Sequence, residues 1–155
     1  MRGKRSEKRI LQTDMLYKSR VITRMINTVM LSGKKSTAEK SVYGALEKLA
    51  EDKKDALTMF EQAVKNVMPS QEVRSKRVGG ATYQVPVPLK HERSEALAVR
   101  WIVGAARSKR GKPMLEKLHE ELKSAYEGVG SAIKKRDDTH KMAEANRAFA
   151  HFGKF

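Results

Sequence analysis

Residues 71–89 read Gln71-Glu72-Val73-Arg74-Ser75-Lys76-Arg77-Val78-Gly79-Gly80-Ala81-Thr82-Tyr83-Gln84-Val85-Pro86-Val87-Pro88-Leu89. In the second half Tyr83, Val85, Val87 and Leu89 alternate with Gln84, Pro86 and Pro88, the period-two pattern of a strand. Gly79-Gly80 separates this run from the one before it. A pair without Cβ atoms accepts positive φ at both central positions of a tight hairpin turn. Proline supplies no amide donor, so the second run belongs at an edge and not in the middle of a sheet. The stretch therefore predicts a lone two-stranded ribbon at about 71–90, with strands over 71–78 and 82–89. Isolated hairpins are marginal in water, and a protein that keeps one usually inserts it into something.

Working outward, the period changes to that of helices on both sides. Before the ribbon, Val21/Ile22, Met25/Ile26 and Val29/Met30 recur at helical spacing. Ser19 is placed as the N-cap of that helix and Gly33 as its stop. Ser36-Thr37-Ala38-Glu39 reads as a capping box opening a second helix, with Val42, Leu46 and Leu49 as its buried stripe and Ala45 beside them. A third begins near Asp55, carries Leu57, Phe60, Val64 and Val67/Met68, and ends at Pro69. After the ribbon, Leu97, Trp101, Ile102 and Ala105 mark a fourth helix ending near Gly111, with the Trp101 stripe read as core. Pro113 suits the first turn of a fifth, which repeats Leu115, Leu118, Leu122 and Ala125 up to Gly128-Val129-Gly130. The sixth starts at Ser131-Ala132 and carries Met142, Ala145, Phe149 and Phe152.

No internal repeat, Pro- or Ser-rich linker or low-complexity tract interrupts these elements. The fold class is thus mainly α: a single domain of about six helices over residues 15–155, with one projecting two-stranded antiparallel β-ribbon. Residues 1–14 lack helical periodicity. They carry Arg2, Lys4, Arg5, Lys8 and Arg9 against Glu7 in the first nine positions, and read as a basic arm.

Charge narrows the function. Lys and Arg number 33 against 18 Asp and Glu, a formal net charge of +15 over 155 residues. Solubility asks a small domain for a magnitude of only about 2–8, and an excess this large repels itself until a polyanion relieves it. Membrane is the weaker polyanion here: the longest apolar stretch of the central helix is Trp101–Ala106, whereas a spanning helix needs about 20 apolar residues. Met1-Arg2-Gly3-Lys4-Arg5 is basic, but no apolar core follows it, so it does not read as a secretory signal. With no cysteine, disulfides and zinc–thiolate sites are excluded. These features suit an intracellular, cytoplasmic protein; Glu7 and Asp14 argue mildly against an organellar transit peptide.

No catalytic constellation emerges. Asp137-Asp138-Thr139-His140 puts Asp137 and His140 on one helical face. A metal site takes three or more protein ligands, and Lys134, Lys135, Arg136 and Lys141 would repel a cation. The group reads as a solvated helix face, and His119-Glu120-Glu121 as another. Walker, nucleophile-elbow and dinucleotide motifs are lacking. No metal, cofactor or enzymatic activity is expected, and the carboxylates do not cluster as a metal-dependent nuclease would require. A free DNA-compacting protein would explain the charge but not the Gly-Gly ribbon.

The cations do gather. One group is the arm, a second is Lys34-Lys35, a third is Arg74, Lys76 and Arg77 on the first ribbon strand, and a fourth is Arg107, Lys109, Arg110 and Lys112 at the end of the fourth helix and beyond. All fall in loops, tails or the ribbon, while Glu39, Glu47, Glu51, Glu61, Glu116, Glu120 and Glu121 are read as lying within helices. That segregation is what an RNA-facing surface needs. Tyr83 is the only aromatic near the ribbon cations; it stacks on a base or packs its own ribbon against the domain. So thin an aromatic content favours folded RNA, held through shape and phosphate contacts, over a single strand.

Three stretches carry a resemblance: Glu72 to Val87; Phe60-Glu61-Gln62-Ala63-Val64-Lys65-Asn66-Val67-Met68-Pro69; and Lys134-Lys135-Arg136-Asp137-Asp138-Thr139-His140-Lys141-Met142-Ala143-Glu144-Ala145-Asn146-Arg147-Ala148-Phe149-Ala150-His151. In the same order and over nearly the whole chain, they resemble the family of ribosomal protein seven of the small subunit, in a bacterial-type pattern shared by organellar relatives. The resemblance implies six helices and one ribbon, direct binding of small-subunit ribosomal RNA in the 3′ major domain, and nucleation of head assembly beside neighbouring ribosomal proteins. It also implies a place near the exit site, close to messenger RNA and transfer RNA. Carried over, the arm and Lys34-Lys35 face ribosomal RNA. The ribbon from Arg74 to Gln84, with Val78, Gly79, Gly80, Ala81, Thr82 and Tyr83 at its tip, approaches messenger and transfer RNA. So does the last helix, Ala132 to Phe149, with Lys134, Lys135, Arg136, Asn146 and Arg147. The chain departs from the family at Pro88-Leu89-Lys90-His91-Glu92-Arg93 and at its end, Phe152-Gly153-Lys154-Phe155.

Overall fold

In the computed structural model, which describes Gly3, Ser6 and residues 9–153, the periodic segments form helices α1 Arg20–Val29, α2 Lys35–Glu47 and α3 Lys53–Val67. Strands β1 Gln71–Val78 and β2 Ala81–Pro88 follow, then α4 His91–Ser108, α5 Met114–Tyr126 and α6 Ser131–Ala145. A 3-10 segment, Arg147–Gly153, ends the described chain. The fold is mainly α with one two-stranded antiparallel sheet, as the periodicity required.

Apolar stripes at helical spacing are buried against one another. Helix α5 packs against α2, α3 and α4, and α4 also meets α1 and α6. Phe60, Ile22, Met25, Ile26, Leu46, Ile102, Leu118 and Leu122 are among the largest side chains buried in this core. Trp101 and Ala105 lie at the edge of this core, partly buried against it. Gly44 lets α2 and α5 approach closely, since a Cβ there would overlap the Leu115 side chain.

The ends of the helices differ from expectation. The capping box of α2 does not form: the cap falls two residues earlier, at Lys34, with the helix opening at Lys35 and no side-chain cap bond. Glu39 instead faces Lys35 Nζ at 3.8 Å. Helix α3 likewise starts at Lys53 after Asp52. Helix α1 is left at Met30 (φ −59, ψ 136), before Gly33 is reached. Ser19 does occupy its N-cap, but through its backbone: its carbonyl accepts from Thr23 N–H at 3.4 Å, and its side chain makes no cap bond.

Helix α6 is shorter than its apolar residues suggested. Asn146 donates its side-chain amide to Met142 O at 2.7 Å, competing for the carbonyl that its own backbone N–H also uses. The chain then tightens into the 3-10 segment, which holds Phe149 and Phe152. Met142 and Ala145 are exposed, and the buried residues of α6 are Ala132, Ile133, Thr139 and Ala143.

The ribbon register pairs Gln71 with Pro88, Arg74 with Val85, Lys76 with Tyr83 and Val78 with Ala81. Gly79 and Gly80 take φ +56 and +91, positive values that glycine adopts without a Cβ penalty at both turn positions. Just past β2, Leu89 N–H donates to Ser70 O at 3.0 Å and closes the ribbon's base.

Candidate nucleic-acid interface

Directly paired residues of an antiparallel ribbon share a face. The register therefore puts Glu72, Arg74 and Lys76 with Tyr83, Val85 and Val87 on one face, and Arg77 with Thr82, Gln84 and Pro86 on the other. The three ribbon cations do not act as one patch. Arg74 Nε donates to Glu72 Oε1 at 2.6 Å, and Arg93 reaches Glu72 Oε2 at 3.1 Å. Burial pushes the Glu72 carboxyl up, but the bonds from Arg74 and Arg93 outweigh it and hold it below the usual carboxylate range. Lys76 Nζ donates to Phe152 O at 2.7 Å. Arg77 is exposed near the tip.

Tyr83 packs its ribbon against the chain: its ring lies 5.2 Å from Phe149 and 5.1 Å from Phe152, centroid to centroid. The last helix is anchored to the same ribbon. Ser70 N–H donates to His140 Nε2 at 3.1 Å, so the residue read as part of a solvated face reaches the ribbon's base. Arg136 pairs with Asp137 and donates to Asn66 O, which spends it inside the fold. Asn146 binds Met142 O, and Arg147 lies 3.4 Å from Glu144. Lys134 and Lys135 remain exposed.

The second and fourth basic groups, far apart in sequence, meet in space. Arg107 Nη2 donates to Thr28 O at 3.1 Å and Val29 O at 3.2 Å, satisfying carbonyls that the end of α1 leaves free. This sets the end of α4 beside the α1–α2 loop. A groove of about 440 Å³ opens there, lined by Val29, Leu31, Lys34, Ala38, Arg107 and Met114. Lys109 lies 3.0 Å from Glu121 Oε2, and Lys112 pairs with Glu120. The bond from Lys112 lowers the Glu120 carboxyl and raises the lysine. Arg110, Lys34 and Lys35 stay exposed.

His119-Glu120-Glu121 is therefore not the solvated surface its polarity suggested. Glu121 is 1% exposed, and its Oε1 accepts Ala132 N–H at 2.9 Å at the start of α6. His119 buries Nδ1 without a partner among the described residues.

Of the arm cations, Arg2, Lys4, Arg5 and Lys8 lie outside the described residues. Arg9 lines a groove of about 470 Å³ with Arg24, Lys90, Glu92, Arg93 and Ala96. Arg24, paired with Glu95, was not singled out by sequence reasoning; Lys90 and Arg93 entered it only as departures from the family. The run Lys90-His91-Glu92-Arg93 was the available signal, masked by the acid within it. Arm and domain meet at Asp14, which is buried; its carboxylate takes the N–H groups of Leu16 at 3.0 Å and Tyr17 at 2.9 Å and the Tyr43 hydroxyl. Burial first, and then Asp14, push the Tyr43 phenol well above its ordinary value.

Among the described residues no group of three or more His, Asp or Glu is placed to hold a metal, and no helix is long and apolar enough to cross a membrane. Fold and charge layout define a basic helical protein that presents its cations on loops, on a ribbon and on a last helix. Residues 1–147 match the family described as ribosomal protein S7p/S5e. The chain is 57% identical to a protein of Fervidobacterium nodosum named small ribosomal subunit protein uS7, over 98% of this chain and 99% of that one. Proteins of the same name from Thermotoga maritima and Pelagibacter ubique are 55% and 50% identical, over 98% and 97% of this chain and 99% and 97% of theirs. The chain belongs to the ribosomal protein S7p/S5e family. It is a structural protein of the ribosome and not an enzyme.

Proposed function

We propose that the chain is a constituent of the small ribosomal subunit that binds small-subunit ribosomal RNA directly, nucleates assembly of the head through the 3′ major domain, and lies near the exit site. The observation that carries this is the convergence of Arg107 onto the carboxy end of α1, which merges two basic groups around one groove. Phosphate contacts need accessible positive charge, which Lys34 supplies at the groove and the exposed Arg110 supplies beyond the end of α4; among the described residues neither forms an ion pair. Residues 1–14 act as a basic arm, with Arg2, Lys4, Arg5, Lys8 and Arg9 on ribosomal RNA, and residues 15–155 as the domain that carries it. The ribbon tip, Val78 to Tyr83, and the exposed cations Lys134, Lys135 and Arg147 approach messenger and transfer RNA. Arg74, Lys76, Lys109, Lys112, Arg136 and Asn146, being engaged within the fold, position that surface more than they touch RNA. Neighbouring small-subunit proteins complete the set of partners. The likeness to bacterial proteins suits a place in cytoplasmic ribosomes.

The test is chemical footprinting of small-subunit ribosomal RNA by the purified protein, with and without residues 1–9. Protection confined to the 3′ major domain, reduced by loss of the arm while the melting temperature holds, is the expected result. Protection scattered over the RNA would overturn the reading.

A further inference from the structure

Val85 is fully buried, yet it is not part of the cluster that forms the main core. What covers it is the end of the chain. A Cβ built on Gly153 would stand 3.2 Å from Val85 Cγ1 and 3.6 Å from Pro86 O, so the backbone of the 3-10 segment lies directly on β2. Phe149 and Phe152 flank Tyr83 at 5.2 and 5.1 Å, inside the range where aromatic rings attract beyond their buried area. Lys76 reaches from β1 to the carbonyl of Phe152 at 2.7 Å, so both strands are held.

We propose that the segment Arg147–Gly153 is a brace, with Phe149 and Phe152 as positioning residues, that holds the ribbon ordered and at a set angle to α6 before any RNA is bound. A two-stranded ribbon alone is marginal in water. Here its apolar face is covered by a third layer, which forms a satellite core separate from that of the helices. Ser70 and His140 secure the ribbon at its base, and the brace secures its middle, at Lys76, Tyr83 and Val85. The free tip is left to Val78–Thr82. The brace stands on contacts within the chain, so it does not depend on which RNA the tip approaches.

The test is amide hydrogen exchange on the free full-length protein, on a Phe149→Ser/Phe152→Ser variant and on Gly153→Val, whose Cβ, 3.2 Å from Val85 Cγ1, and added γ-methyls crowd the contact without removing a ring. Protection of β1 and β2 amides should fall by about tenfold or more in both variants while α3 to α5 keep theirs. Phe152→Tyr alone, which retains the ring, should keep the parent's protection. Ribbon protection within about twofold of the parent in both variants would overturn the proposal. So would an equal loss in α3 to α5, because the segment would then support the whole domain and not the ribbon.

Discussion

Replacing Glu121 by alanine separates a buried strut from the exposed face that its sequence context suggests. Glu121 sits one turn before the end of α5, 1% exposed. It holds the first turn of α6 through Ala132 N–H at 2.9 Å and pairs with Lys109, just past α4, at 3.0 Å. A Cβ at Gly130 would come within 3.2 Å of Oε1, so the chain passes close over the carboxylate. Losing a hydrogen bond to a charged group costs about 1.5–3 kcal/mol. Breaking a buried pair costs about 3–5 kcal/mol when the orphaned charge stays buried. Lys109 is 29% exposed and can turn to water, which places the total at the lower end, about 2–3 kcal/mol. At about 2–4 °C per kcal/mol for a chain this long, the melting temperature should fall by about 5–10 °C. Glu121→Gln keeps an acceptor for Ala132 and should lose about 1 kcal/mol. Urea unfolding followed by far-ultraviolet circular dichroism reads both. A loss below about 0.5 kcal/mol for Glu121→Ala, as expected of an exposed site, would refute the reasoning.

Affinity for small-subunit ribosomal RNA should fall by about 10³–10⁵ between 50 and 200 mM salt if roughly 6–10 phosphates are contacted, a scale set by duplex DNA; a nearly flat filter-binding titration would contradict an electrostatic interface. Deleting the tip, residues 78–82, should leave the helices folded and ribosomal-RNA binding mostly intact while altering exit-site transfer-RNA occupancy. Unchanged occupancy with a collapsed melting curve would show that the tip is structural. Glu72 has a lowered carboxyl in the folded state, so its stabilisation is present above the unfolded value of about 4.3 and is lost as pH falls through the folded one. The parent should therefore lose more stability than Glu72→Gln between about pH 6 and pH 3, and parallel urea midpoints over that range would count against it.

Much of the fold was legible because it is written in local periods. A stripe such as Val42, Ala45 and Leu46 repeats at the pitch of a helix, and Tyr83, Val85 and Val87 repeat at that of a strand, whatever lies around them. The Gly79-Gly80 turn was legible for the same reason, since positive φ is a property of the residues themselves. Helix ends were less so. Ser36 could have capped α2, but the helix opens at Lys35 with Lys34 in the cap position and no side-chain cap bond.

The basic groups were visible as composition, but which of their cations are free was not. Sequence alone established a strongly basic, mainly helical chain with one ribbon and no catalytic constellation, because charge and periodicity belong to short runs of residues. Only the tertiary structure decided that Arg107 closes the end of α1, that Glu121 is buried beneath α6, that Lys109 and Lys112 are neutralised, and that Phe149 and Phe152 leave the last helix to cover Tyr83. Such contacts join residues as far as 79 positions apart. No spacing rule reaches that far, and whether a charge meets an acid or water is settled only when the distant segments pack.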